Sequence, residues 1–98
     1  MRMMLKVMIP AEAGTRAIKD GSLPQVVGEF VQRWKPEATF FTAQSGQRTA
    51  FFLFDMPEVT AIPSIAEPFF AKLGCAIELC PAMNLEEMKT GVERAMKH

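Results

Sequence analysis

From Met3 onward, apolar side chains alternate. Met3, Leu5, Val7 and Ile9 fall on one side, and Met4, Lys6 and Met8 on the other. A period of two predicts a strand over 3–9 whose first face is wholly apolar, ended by Pro10. Residues 11–20 are rich in alanine and charge and predict a short helix. Asp20-Gly21 is its stop, because glycine takes the left-handed cap without a Cβ clash. A stronger helical pattern follows, with Leu23, Val26, Val27, Phe30, Val31 and Trp34 sharing one face. Ser22 and Gln25 have capping-box spacing, so Ser22 is the expected N-cap, and Pro24 lies in the first turn, where a missing N–H costs little. Lys35-Pro36 closes this helix, since a residue before proline is pushed out of the helical region. On this reading Trp34 is a core residue.

Ala38–Gln44 and Arg48–Asp55 are rich in Phe and Thr and flank Ser45-Gly46, which predicts a hairpin. After Pro57, Ile62, Ile65, Ala66, Phe69, Phe70 and Leu73 share a third helical face that ends at Gly74. Pro63 suits its start, while Pro68 predicts a kink or a late start. Cys75, Ile77 and Leu79 alternate with Ala76, Glu78 and Cys80 in a last strand ended by Pro81. Asn84, with Glu87 three residues on, caps a final helix whose apolar stripe is Leu85, Met88, Val92 and Met96.

The order β-α-β-β-α-β plus a helix, over 98 residues, predicts one α+β domain with a ferredoxin-like four-stranded antiparallel sheet. The first and third strands are the most apolar and are expected at its centre, parallel to one another across right-handed crossovers. Helices cover one face only. On the other face a solvated strand would show polar residues, yet Ala50-Phe51-Phe52-Leu53-Phe54 is apolar on both sides, with Phe40 and Phe41 beside it. Such a surface calls for cover. The expected cover is a second copy packed sheet to sheet, giving a homodimer; the alternative is the final helix folded across the sheet.

Eleven basic and eleven acidic side chains cancel, so no net field draws the chain to nucleic acid or an anionic membrane. The stretch Arg48–Phe54 resembles the aromatic strand of RNA-binding domains. It lacks their glycine, an exposed aromatic companion and the positive charge that tracks phosphates, so nucleic acid is not an expected partner. Lys6 interrupts the apolar N-terminal run that a signal sequence needs, and no segment reaches the roughly 20 apolar residues of a membrane helix. The expectation is a cytoplasmic protein without a membrane partner. Cys75 and Cys80, five apart on a strand, point to opposite faces about 17 Å from each other. That excludes a disulfide or a shared metal and predicts two small buried hydrophobes.

No nucleophilic triad, HExxH, CxxC pair, P-loop or GxGxxG occurs, tyrosine is absent, and the one histidine, His98, is expected to fray. No metal or cofactor is expected. The candidates for chemistry are Lys6 and Glu78, isolated polar groups on the non-helix faces of neighbouring strands. With a two-residue hairpin loop, Thr42 opposes Thr49 on the same surface. These four could anchor a ligand in an apolar cavity; the plainer reading of Lys6 and Glu78 is an ion pair.

At RAIKDGSLP (Arg16–Pro24), KPEATFF (Lys35–Phe41) and SIAEPFF (Ser64–Phe70) the chain resembles a group of uncharacterised bacterial proteins of similar size. That group is similar to the dimeric α/β-barrel superfamily. This superfamily pairs two ferredoxin-like sheets and includes cofactor-free monooxygenases, muconolactone-isomerase-like enzymes, haem-degrading enzymes and stress-response proteins. The resemblance implies a dimer. The internal His and Tyr that several of those enzymes use have no counterpart here, which argues against a haem site or a histidine base. Two main function classes stay open. One is a homodimer that binds, or as a monooxygenase- or isomerase-like enzyme transforms, a small apolar or aromatic molecule in the barrel. The other is a non-enzymatic oligomeric accessory or interaction protein with a packed barrel.

Overall fold

In the computed structural model, which describes residues 1–97, the chain runs β1 (Arg2–Ile9), α1 (Ala11–Asp20), α2 (Ser22–Trp34), β2 (Ala38–Gln44) and β3 (Gln47–Asp55). A single 3-10 turn (Val59–Ala61) leads into α3 (Ile62–Leu73), β4 (Ala76–Pro81) and α4 (Leu85–Met96). The strands form one antiparallel sheet in the order β2-β3-β1-β4. His98, the residue expected to fray, lies outside the described residues.

β1 and β3 are central, as their apolar character predicts, but they are antiparallel rather than parallel. The reason is topological. The chain returns through α1 and α2 to lay β2 parallel to β1, and the tight hairpin then reverses β3 into the gap between them. Ser45 (φ 52°) and Gly46 (φ 74°) both adopt positive φ in this turn, which matches the right-handed twist of the strands they join.

The odd-numbered face of β1 is the core. Met3, Leu5, Val7 and Ile9 are buried with Ala50, Phe52 and Phe54 of β3. α1, α2 and α3 cover this face with Ala17, Val26, Phe30, Ile65, Phe69 and Leu73. Phe30 packs on Phe52, Phe54 and Phe69 with ring centroids 4.6, 5.3 and 5.7 Å away. Trp34 packs against this core and meets Phe54 edge-on. Val31, Ile62 and Phe70, assigned by periodicity to buried faces, are exposed at the rims of their helices.

Three local expectations change. Ser22 is the first residue of α2 and makes no capping bond. Gly21 (φ 83°) is the cap residue, and Asp20 accepts the Ser22 N–H at 2.8 Å. Asp20 is thereby held below the usual carboxylate range, through hydrogen bonding from the side chain and the backbone of Ser22. α3 does not start late, since Ile62–Leu73 is one helix running through Pro68. Cys75 is buried as expected, but Cys80 is exposed on the outer edge strand.

α4 begins as predicted. Asn84 accepts the Glu87 N–H and Glu87 accepts the Asn84 N–H, a complete capping box. None of its residues is buried. The helix does not fold across the sheet, and the molecule is elongated to 55 × 28 × 19 Å. Its radius of gyration of 15.6 Å exceeds the roughly 13 Å of a compact chain of this length.

Candidate functional site

Strand register arranges the open face of the sheet as three rows that cross all four strands. Ala38, Leu53, Met4 and Cys80 form the first. Phe40, Phe51, Lys6 and Glu78 form the second. Thr42, Thr49, Met8 and Ala76 form the third. Because successive side chains alternate faces, every second residue of a strand contributes to this surface, and eight of the twelve are apolar.

Lys6 and Glu78 are thus direct cross-strand partners, in the expected register. They do not form a salt bridge: no Lys6–Glu78 contact falls within 4.0 Å. The Lys6 ammonium instead lies 5.8 Å from the centre of the Phe51 ring, its neighbour on the other side. An ammonium near an aromatic face gains from the ring quadrupole while its stem covers apolar surface. Glu78 sits on the outer strand, exposed to water.

Thr42 and Thr49 are also paired. Thr42 is exposed, whereas Thr49 is buried and its hydroxyl donates to the Gln47 carbonyl at 3.1 Å. Thr49 therefore spends its proton within its own strand and keeps only acceptor capacity. The four candidates share one face but form two separate pairs, with Lys6 one row from Thr49. That arrangement can orient a small ligand through an ammonium, a carboxylate and a hydroxyl. It holds no nucleophile–base pair within hydrogen-bond reach, and no cluster of three His, Cys, Asp or Glu suited to a metal exists among the described residues.

The foot of α4 is tied to the same face. Arg2, the next open-face residue along β1, bonds to Glu37 ahead of β2 (3.3 Å) and to Glu87 on α4. Glu87 is held below the usual carboxylate range, first by the Asn84 backbone N–H and then by Arg2. Arg2 is correspondingly raised, chiefly by Glu87. This clamp escapes a sequence reading because its members are separated by up to 85 positions.

Arg48 was also missed. It reads as the first residue of a strand, but its even number puts it in phase with Ala50, Phe52 and Phe54, on the helix side. That parity is the available signal. Its guanidinium donates to the Ala11 carbonyl (3.1 Å) and the Thr15 hydroxyl (3.2 Å) of α1.

The chain matches no protein-family model and no curated protein. No helix among the described residues is long and apolar enough to cross a membrane.

Proposed function

We propose that the protein works as a homodimer of ferredoxin-like subunits, as in dimeric α/β barrels, with the two open faces turned towards one another. A small apolar or aromatic molecule is held between them by Lys6, Glu78 and Thr42. The observation that carries this reading is the position of α4. It leaves the open face uncovered, so Met4, Phe40, Phe51 and Leu53 meet water in a lone subunit, with Phe40 67 % exposed.

Area supports a shared role for the sheet and α4. A four-stranded face about 19 Å wide and 20–25 Å tall has a footprint of roughly 400–500 Å². Stable interfaces bury about 800 Å² per partner. The stripe Leu85, Met88, Val92 and Met96, all exposed, supplies further apolar surface for a second copy to cover. The resemblance at Arg16–Pro24, Lys35–Phe41 and Ser64–Phe70 points to the same assembly, though a fold alone does not carry a reaction.

A second reading, a packed dimer without a ligand, is favoured by the internally bonded Thr49 hydroxyl and by the four large apolar side chains that could fill the space. Native mass spectrometry of protein from its own host separates the two. The expected result is a dimer with a retained small-molecule mass that is lost in the Lys6→Met, Glu78→Leu double variant. A bare dimer supports the packed reading, and a monomer at micromolar concentration overturns both.

A further inference from the structure

On the helix side of the sheet, between the start of α2 and the hairpin end of the strands, lies a cavity of about 180 Å³. Ile9, Leu23, Val27 and Phe41 wall it with apolar groups, and Arg48, Thr42 and Thr49 line it as well. A dry apolar cavity of roughly 150 Å³ is enough to accept a benzene ring. Phe41 stands edge-on to Phe52, with centroids 6.2 Å apart and planes at 90°, yet stays 63 % exposed. It lies on the opposite face of β2 from Phe40, so pairing of the open faces does not account for its exposure.

Arg48 is half-buried, and both groups that hold it are neutral, a carbonyl and a hydroxyl. No carboxylate lies within 4.0 Å of it among the described residues. Two contacts use two of its five N–H donors and leave its charge uncompensated. Its place is nevertheless built into the fold. A Cβ on Gly14 would lie 2.8 Å from Nη1 of Arg48 and 3.0 Å from Cγ2 of Ile9. Glycine inside a helix weakens it, so the absent side chain at Gly14 is where α1 makes room for the guanidinium.

A fixed, uncompensated guanidinium beside a ring-sized apolar cavity has a definite chemical complement. We propose that this cavity binds a small organic monoanion with an aromatic or branched aliphatic body. The body sits between Leu23, Val27 and Phe41, and a carboxylate takes the free N–H groups of Arg48. Guanidinium and carboxylate match as planar, two-pronged partners, and partial burial strengthens their pairing. The site adjoins the open face at Thr42 and Thr49, but its apolar wall and Arg48 belong to the helix side, so it does not require the subunits to pair.

The test is titration of the full chain with benzoate at low ionic strength, followed by NMR. Saturable shifts are expected at Leu23, Val27 and Phe41. Acetate, which lacks the ring, and benzyl alcohol, which lacks the charge, should each bind at least tenfold more weakly. Arg48→Met should weaken benzoate at least tenfold and leave benzyl alcohol unchanged, with Arg48→Lys in between. Val27→Phe, which fills the cavity and leaves Arg48 in place, should abolish binding. The proposal is overturned if benzoate binds no better than benzyl alcohol, if shifts do not saturate, or if binding survives Val27→Phe. This last result decides the matter even where Arg48→Met fails to fold.

Discussion

Phe40→Ala separates the energetics of assembly from those of folding. In the lone subunit Phe40 touches little beyond its cross-strand partner Phe51. Truncation should therefore cost the folded monomer only the roughly 0.2–1 kcal/mol of a cross-strand pair. In the proposed dimer it becomes a buried contact. Phe40 is 67 % exposed, which for a side chain of about 200 Å² leaves roughly 130 Å² free to bury. At about 25 cal/mol per Å² that amounts to about 3 kcal/mol per copy. Alanine would keep about a third of the gain, and two-fold symmetry places two such residues in each interface. Dimer stability should then fall by about 4 kcal/mol, close to three decades in Kd. Sedimentation velocity across a concentration series reads the Kd, and urea unfolding at a concentration below dissociation reads the monomer. An unchanged Kd refutes the interface. A large loss of monomer stability refutes the claim that this ring is free in the subunit.

Three other expectations follow from local geometry. Asp20→Ala should speed amide exchange at Ser22 and the first turn of α2 more than Ser22→Ala, which removes only the hydroxyl contact to Asp20; the reverse ranking would restore Ser22 as the cap. Because Glu87 is depressed by folding, its contribution is present above the ordinary carboxylate range near pH 4.3 and is lost as pH falls through its folded value. The protection factor of the Glu87 amide, the exchange rate corrected for its intrinsic pH dependence, should accordingly fall on acidification, and a Glu87→Gln chain should lack that step. In the free subunit at pH 8, Cys80 should be alkylated rapidly and Cys75 not at all, since burial raises the Cys75 thiol to about 11. Equal labelling would contradict the burial of Cys75.

Strand and helix boundaries were legible because each element carries its own period and its own stop. Pro10, Gly21, Lys35-Pro36, Ser45-Gly46 and Gly74 all act within a residue or two of their position. Register was legible where a face had to be buried: Lys6 opposite Glu78 follows from keeping Ile77 and Leu79 under the helices. What escaped depends on distant parts of the chain. The direction of β3 relative to β1 is decided by the crossover and the hairpin together, not by either strand. Capping at Ser22 went to Asp20 because two helices meet there with a single residue between them, and Gly21 holds the cap geometry. Thr49 reads as an available hydroxyl, yet its own strand satisfies it. The Arg2 clamp and the seating of Arg48 against Gly14 are contacts across more than 30 positions, which no local pattern encodes.

A helix of twelve residues is marginal in water when nothing packs against it. In α4 the capping box and Arg2 organise the first turn, and the rest of the helix has only its backbone hydrogen bonds, the Thr90 hydroxyl on the Glu86 carbonyl and an exposed Lys89–Glu86 ion pair until another surface arrives. If the proposed dimer forms, order in this segment is tied to how much of the protein is present. Diluted below the dissociation constant of the proposed dimer, the chain would expose Val92 and Met96 on a frayed last turn, a ready substrate for proteases. Concentrated, the same turn would be shielded. The lifetime of each molecule would then depend on finding another of its kind, so the C-terminal helix would act as a quality check on assembly.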